Sequence, residues 1–208
     1  MSLDNALINI HIIKDAILKE GTLTAYDPGP LSDDDMFTKP MTPDEVEGLL
    51  NKSDTSFTED LETGELVEVI QKIEVNSREV KFYEIKEEWF FDRERSVMDV
   101  RIIGLCPMKE KVSELTGEVQ GVQPLFWIYY PQARFVFVKN ETFNRSNDAE
   151  RRTYEDIFWK RTFDSYIIKE SNVYDRQISE YKKGLEALYE AENVKEKIRN
   201  MEHDVWSF

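Results

Sequence analysis

Three carboxylates, Glu87, Glu88 and Asp92, flank a run of three aromatic residues in the stretch KEEWFFDRERS at residues 86–96. Two carboxylates beside a sugar are the acid and base of most glycoside hydrolases. In a strand, however, successive side chains point to opposite faces, so Glu87 and Glu88 cannot easily converge on one bond. A periplasmic carbohydrate- or peptide-processing enzyme that uses Glu87, Glu88 or Asp92 is kept only as the alternative hypothesis, because this geometry disfavours it.

Other residues suited to metal or nucleophilic chemistry are few. The chain has one cysteine, Cys106, and two well-separated histidines, His11 and His203, so neither an internal disulfide nor a zinc cluster can form. Cys106 lies in the apolar run IIGLCPM and is predicted to be a core residue. The sequence contains no phosphate loop, dinucleotide fingerprint, nucleophile elbow or HExxH motif. We therefore predict no catalytic centre, no metal site and no cofactor.

The charge is acidic and unevenly distributed along the chain. The 208 residues include 27 basic and 42 acidic side chains, a net charge of −15, which argues against nucleic-acid binding. Residues 32–68 contain 12 acidic and two basic residues, whereas residues 132–183 contain 11 basic and nine acidic ones. We call residues 32–68 the acidic front. It is either a solvated loop or a surface whose charge complements that of another copy or of a partner.

The composition predicts a folded chain without a membrane span. Hydrophobic residues make up 40% and aromatic residues 12% of the sequence, enough for a core. The longest apolar runs, such as PLFWIYY at residues 124–130, are far shorter than the roughly 20 residues that cross a membrane. The first residues lack the successive basic, apolar and cleavage regions of a signal peptide. This predicts a cytoplasmic protein or one whose signal has been removed.

Helical spacing of apolar residues predicts an N-terminal helix over residues 3–20, which Gly21 ends. The apolar positions are Leu3, Leu7, Ile10, Ile13 and Ile17. Residues 25–40 are rich in Pro, Gly and Asp and are predicted to form a loop. A short helix follows over residues 42–50.

Thr42 and Glu45 have the spacing of a capping box at the start of that helix. Residues 51–64 are polar and are predicted to be irregular, with a turn at Thr63-Gly64. Alternating apolar residues then predict a strand up to Val75.

Two further strands are predicted at residues 79–91 and 97–105, joined by the turn at 92–96. Residues 124–130 are apolar on both faces, which is typical of a central strand covered on both sides. Residues 131–140 are ambiguous, because Pro131 favours a helix whereas the aromatic and β-branched residues that follow favour a strand.

The C-terminal part is predicted to be helical. Asn147 and Glu150 have capping-box spacing and predict a helix that ends near Arg161. Apolar residues then recur every three or four positions from Tyr174 to Val205. A continuous helix of about 32 residues would span roughly 48 Å, long enough to project from the body of the protein.

These elements predict an α+β fold with a mainly antiparallel sheet, flanking helices and a long C-terminal helix. The predicted segments are an N-terminal helical and acidic part at 1–50, an α+β core at 51–170 and the C-terminal helix at 171–208, together forming one domain.

Exposed aromatic and aliphatic residues in such a fold point to contacts between chains. The aromatic strand and the C-terminal stripe contain the candidate interface residues. They are Trp89, Phe90, Phe91, Tyr181, Leu185, Leu188, Ile198 and Val205.

Four ordered stretches carry a resemblance to a known family. They are EGTLTAYDP at 20–28, IKEEWFFDRERSVMDVRIIGLCP at 85–107, PLFWIYYPQAR at 124–134 and FDSYIIKESNVYDRQI at 163–178. Together they resemble the gliding-motility and Por-secretion protein N family (GldN/PorN) of Bacteroidetes.

The resemblance implies a non-enzymatic structural component of the type IX secretion and gliding machinery. It further implies a periplasmic location, self-association, and assembly into a ring with an outer-membrane lipoprotein, protein K, and contact with the inner-membrane protein M. Neither nucleic-acid binding nor direct membrane insertion is expected. Relative to the family, the chain lacks the signal peptide and an upstream segment rich in Arg and Trp, which suggests a shortened chain.

Overall fold

The computed structural model describes residues 3–30, 34–59, 66–74, 79–113, 117–142 and 151–205. The described residues form six helices and nine strands. The helices are α1 (Leu3–Leu18), α2 (Pro43–Leu50), α3 (Tyr130–Lys139), α4 (Tyr154–Trp159), α5 (Ile178–Tyr181) and α6 (Leu185–Val205). The strands are β1 (Ala25–Tyr26), β2 (Asn51–Glu59), β3 (Leu66–Glu74), β4 (Val80–Asp92), β5 (Val97–Val112), β6 (Val119–Pro124), β7 (Trp127–Tyr129), β8 (Glu141–Thr142) and β9 (Arg152–Thr153).

A five-stranded sheet contains β1, β7, β5 and β4 in that order, and β6 also pairs with β5. Strand β7 is antiparallel to both neighbours, with Ala25 opposite Ile128 and Gly104 opposite Tyr129. Strand β6 is antiparallel to β5 as well. The prediction of an α+β fold with an antiparallel sheet is therefore confirmed.

The sequence prediction missed one strand of a separate hairpin. Residues 51–64 were expected to be irregular, but Asn51–Glu59 form β2, which pairs with β3 along its whole length. The prediction was wrong because it depended on apolar alternation, which these polar residues lack. The hairpin is instead made by backbone N–H and C=O groups that every non-proline residue carries.

Helix α1 confirms the first predicted helix. The stripe residues Ile10, Ile13 and Ile17 are all buried, and the helix contacts both α2 and α3. After the helix, Gly21 adopts a φ of 62°, a left-handed conformation that glycine tolerates better than other residues. Helix α1 ends at Leu18, two residues before the predicted boundary at residue 20.

Helix α2 begins with the predicted capping box. The Thr42 hydroxyl accepts a hydrogen bond from the Glu45 backbone N–H, and the Glu45 carboxylate accepts one from the Thr42 N–H at 2.8 Å. Val46 and Leu50 are buried. These contacts orient the helix so that Asp44, Glu45, Gly48 and Leu49 are exposed.

The loop between β1 and α2 is held on the sheet by Phe37. The Phe37 ring makes edge-to-face contacts at centroid distances of 5.6–6.0 Å with Tyr26, Trp127 and Tyr129. The ammonium of Lys86 lies 5.7 Å from the ring centroid and donates a hydrogen bond of 2.8 Å to the Asp35 carbonyl. Part of the acidic front is therefore a fixed structure.

The apolar segment at 124–130 is divided between a strand and a helix. Phe126, Trp127 and Ile128 are buried, and β7 lies between β1 and β5, as expected for a central strand. The strand ends at Tyr129, however, because Tyr130 already begins α3. The ambiguity over residues 131–140 is thereby resolved in favour of a helix.

Helix α4 starts later than predicted. It begins at Tyr154, and its capping box is formed by Thr153 and Asp156. The expected helix from Asn147 was wrong at its start, because Arg152–Thr153 form a strand. The predicted cap residues Asn147 and Glu150 lie outside the described residues.

The predicted continuous C-terminal helix was also wrong. It is interrupted between α5 and α6, where Lys182 has an extended ψ of 143° and Gly184 has a φ of 59°. A left-handed residue cannot continue a right-handed helix. Apolar spacing does not detect this interruption, because the spacing remains the same on both sides of it.

The chain divides into two compact units. Unit 1 contains Met1–Glu87 and Ile102–Arg161, and unit 2 contains Glu88–Arg101 and Thr162–Phe208. Of the described helices, none combines the length and the apolar character that a membrane span needs.

Candidate functional site

The two adjacent carboxylates of β4 bind different arginines. In unit 1, Glu87 Oε1 accepts a hydrogen bond of 2.7 Å from the Arg161 guanidinium. In unit 2, Glu88 Oε2 lies 3.9 Å from the Arg101 guanidinium. Each carboxylate therefore pairs with its own arginine. Such ion pairs hold β4 in position, whereas an acid–base site would need the two carboxylates to face one bond.

The third carboxylate, Asp92, stabilises the turn after β4. It accepts a hydrogen bond of 2.7 Å from Arg95 Nε, and the same guanidinium donates to Asp99 at 2.8 Å. The Arg95 side chain and the backbone N–H groups of Arg95 and Glu94 hold the pKa of Asp92 below its ordinary value. Asp92 is therefore an ionised turn residue.

The aromatic triplet of β4 is only partly exposed. The Trp89 side chain is 44% exposed, whereas Phe90 and Phe91 are half-buried. The guanidinium of Arg101 lies 5.1 Å from the Phe90 ring centroid. Of these three aromatic residues, Trp89 is the most exposed.

Residues suited to metal binding do not gather in the part of the chain that is described: no group of three His, Cys, Asp or Glu side chains has the required proximity there. The Asp34 carboxylate accepts hydrogen bonds from Met36 N–H and the Thr38 hydroxyl. Cys106 is completely buried, as predicted, and burial raises the pKa of its thiol. Its sulfur is therefore protonated and inaccessible at neutral pH.

The predicted C-terminal stripe is divided between two sides of α6. Ala191 and Val194 are buried and Ile198 is half-buried, whereas Leu185 is 73% and Leu188 is 53% exposed. The cause is geometric. A helix has 3.6 residues per turn, so repeated steps of three residues rotate progressively around it. The side chain of Val205 lies outside the described residues.

The exposed residues at the start of α6 belong to a larger surface in unit 2. The Arg176 guanidinium lies 4.7 Å from the Tyr174 ring centroid and 5.4 Å from that of Tyr181. Helix α5, which ends at Tyr181, contacts α6. We call this surface the C-terminal patch; it comprises Tyr174, Arg176, Tyr181, Leu185, Leu188 and Tyr189.

A second exposed surface, in unit 1, was not predicted. Phe135 is 75% exposed, Trp159 is 73% exposed and Val138 is also exposed. The Arg134 guanidinium lies 5.8 Å from the Trp159 ring centroid. We call these residues, Arg134, Phe135, Val138 and Trp159, the α3–α4 patch. Its sequence signal was Phe135 and Val138, three residues apart and off the buried face of α3.

A buried polar cluster fixes the base of the α3–α4 patch. Glu155 is buried and accepts hydrogen bonds of 2.7 Å from the Tyr130 hydroxyl and 2.6 Å from Arg134 Nε. Burial and the hydrogen bond to Glu155 raise the pKa of Tyr130, so its hydroxyl remains a donor. Phe158 packs edge-to-face on Tyr130. These contacts hold α3 and α4 in one arrangement.

The exposed side of α2 contributes to a groove in unit 1 with a volume of about 480 Å³. We call it the α2 groove. It is lined by apolar and small residues with acidic groups among them, including Asp27, Lys39, Met41, Glu45, Gly48 and Leu49. Lys39 and Asp27 form an ion pair of 2.8 Å.

The comparisons with known proteins agree with the resemblance carried by the four sequence stretches. A family described as "Gliding motility associated protein GldN" matches residues 4–207. No curated protein matches the chain. Because the family match covers nearly the whole sequence, the chain belongs to the GldN family of gliding motility associated proteins.

Proposed function

We propose that this protein is a non-enzymatic structural component of the type IX secretion and gliding machinery. It assembles in the periplasm into a ring with the outer-membrane lipoprotein K and contacts the inner-membrane protein M. The family match supports a role in gliding motility. The observation on which the assembly role rests is the C-terminal patch, where Leu185 and Leu188 lie exposed at the start of α6.

The composition of the C-terminal patch supports a binding role. Tyr and Arg are enriched among the residues that dominate binding energy at protein interfaces. Here the Arg176 guanidinium lies within 5.4 Å of the ring centroids of both Tyr174 and Tyr181, and such contacts preorder side chains that would otherwise lose conformational freedom on binding. The patch therefore has both apolar area and a preorganised polar centre.

The carboxylates near the aromatic strand support a structural role in a different way. Glu87, Glu88 and Asp92 each have an arginine as neighbour. A glycosidase requires two carboxyl groups that face one bond across a gap of about 5–9.5 Å. Ion pairs to three separate arginines instead position β4 and its turn.

To test the proposal, the double variant Leu185→Glu/Leu188→Glu is mixed with purified lipoprotein K, and the mass of the resulting complex is measured by light scattering. Both side chains are exposed, so the variant is expected to fold. We expect the mass of the complex to fall to that of the separate components, because two charges would be buried without partners. Val119→Glu, at another exposed position, is the matched control and should still assemble.

Assembly of the double variant at wild-type mass would contradict the proposal. In cells that lack the native gene, the same variant should fail to restore gliding and secretion, whereas Val119→Glu should restore both. Restoration by the double variant would exclude the C-terminal patch as the assembly surface.

A further inference from the structure

The α3–α4 patch is an exposed aromatic surface that includes the cation of Arg134. Trp159 and Phe135 are among the most exposed large side chains, and exposed apolar surface can mark an interaction site. Two lysines, Lys139 and Lys160, directly follow the exposed positions of α3 and α4, and both are exposed. A partner surface should therefore be partly apolar and acidic.

The α2 groove has that chemistry. Its lining includes Met41, Gly48 and Leu49, and two carboxylates, Asp27 and Glu45, lie among them. Hydrogen bonds from Lys39 and the Gly29 backbone hold the pKa of Asp27 below its ordinary value. The hydrogen bond from the Thr42 backbone N–H likewise lowers the pKa of Glu45. Both carboxylates are therefore ionised at neutral pH. Lys39 offsets only part of this charge.

The dimensions of the two surfaces are also compatible. A groove of about 480 Å³ falls within the roughly 300–1,000 Å³ of pockets that enclose drug-sized molecules. One indole ring with neighbouring methylene groups is smaller than such a molecule. The α2 groove thus has room for the ring of Trp159 while its carboxylates meet Lys160.

Both surfaces belong to unit 1, and the groove and the patch have no residue in common. Every copy of the chain consequently has both the α3–α4 patch and the α2 groove. A contact between two different surfaces of identical chains is heterologous, and its repetition gives a closed ring or an open filament.

We propose that the α3–α4 patch of one copy binds in the α2 groove of a second copy, with Trp159 as the anchor and Lys160 facing Asp27 and Glu45. The inference deepens the proposed function and rests on it only for the identity of the partner. Aromatic anchors dominate interface energies, so loss of Trp159 should weaken self-association by about tenfold or more.

The test uses two variants of the full chain, each with one surface altered. Trp159→Ser removes the anchor from an exposed position. Gly48→Arg fills the groove with a cation, and Gly48 lies in a helix with open space around the position of its Cβ, so the fold should tolerate it. Gly48→Ala and Val119→Ser are the matched controls, since neither fills the groove nor touches the patch.

Sedimentation velocity should show concentration-dependent association for the wild type and both controls, and monomers for each variant alone. A mixture of the two variants should give dimers that grow no further. The Trp159→Ser chain keeps an intact α2 groove and the Gly48→Arg chain keeps an intact α3–α4 patch, so each pair can make one contact. Raised salt should weaken the dimer through its lysine–carboxylate contacts.

Three results would overturn the inference: a monomeric wild type, a variant that associates like the wild type, or a mixture that stays monomeric. If Gly48→Arg alone associates normally, the α2 groove has another ligand and the α3–α4 patch binds elsewhere. Since the readout is the mass of the purified chain without lipoprotein K, a failure here leaves the test of the C-terminal patch unaffected.

Discussion

Phe37 and Gly104 are in such close contact that the Phe37 ring fills the space where a side chain on residue 104 would begin. A Cβ built on Gly104 would lie 2.5 Å from Cζ of Phe37 and 3.2 Å from Trp127. Phe37 itself has a left-handed φ of 56°, which is uncommon for an aromatic residue. The loop before α2 and the central strand β5 are thus fitted to each other at one point.

Gly104→Ala should destabilise the protein by about 1–3 kcal/mol, the usual cost of overpacking a core. The added methyl would displace the Phe37 ring from its aromatic neighbours. Urea unfolding measures the effect. Gly121→Ala is the matched control, because the same substitution there meets open space, and equal effects at both positions would contradict the packing argument.

Glu155→Ala should cost about 1–3 kcal/mol, because it leaves the buried Tyr130 hydroxyl without its acceptor. Tyr130→Phe in the same background should restore part of this loss, since the unsatisfied donor is then absent. Glu141→Ala removes an exposed carboxylate 3.6 Å from Arg151 and should change stability by less than about 0.5 kcal/mol. Additive effects of the Tyr130 and Glu155 substitutions would argue against a coupled cluster.

Glycine-to-alanine substitutions at residues 184 and 48 should have opposite signs. Gly184 has a φ of 59°, so Gly184→Ala should cost about 1–2 kcal/mol. Gly48 lies inside α2 with open space around its Cβ position, so Gly48→Ala should stabilise by about 0.5–1 kcal/mol. Stabilisation by Gly184→Ala would indicate that α5 and α6 prefer to merge.

Acid should weaken the fold partly through Asp156. Its carboxylate accepts hydrogen bonds from the Thr153 backbone N–H at 3.0 Å and the Thr153 hydroxyl at 2.8 Å, and these lower the pKa of Asp156. A carboxyl with a lower pKa in the folded state stabilises above its unfolded pKa of about 4 and loses that effect as pH falls through the folded value.

The melting temperature should therefore fall between about pH 5 and pH 2, and Asp156→Asn should reduce the drop. Thermal unfolding followed by circular dichroism across this range is the measurement. The variant should be less stable than the wild type at pH 7 and approach it at the lowest pH. A constant difference at every pH would assign the effect to something other than ionisation.

Local signals in the sequence predicted local structure well. The capping box of Thr42 and Glu45 was recognisable because its two hydrogen bonds join residues three apart. Burial of Ile10, Ile13 and Ile17 followed from helical spacing alone. The GldN family was also recognisable, since its four stretches lie within the matched residues.

Features that depend on distant residues were not predictable. Phe37 packs where Gly104 leaves room, although 67 positions separate them in the sequence. The exposure of Trp159 depends on how α4 packs against α3, and the cluster of Tyr130 and Glu155 that fixes this packing is made only in the folded chain. For the same reason the C-terminal stripe did not separate the buried Ala191 and Val194 from the exposed Leu185.

The burial of Cys106 has a practical consequence for site-specific labelling. The 208 residues contain a single cysteine, and because it is completely buried, maleimide dyes applied to the folded protein should not react with it. A cysteine introduced at Leu185 or Val138 would then be the only thiol of this chain open to the dye, so fluorescence energy transfer could test whether two copies come together without first replacing Cys106.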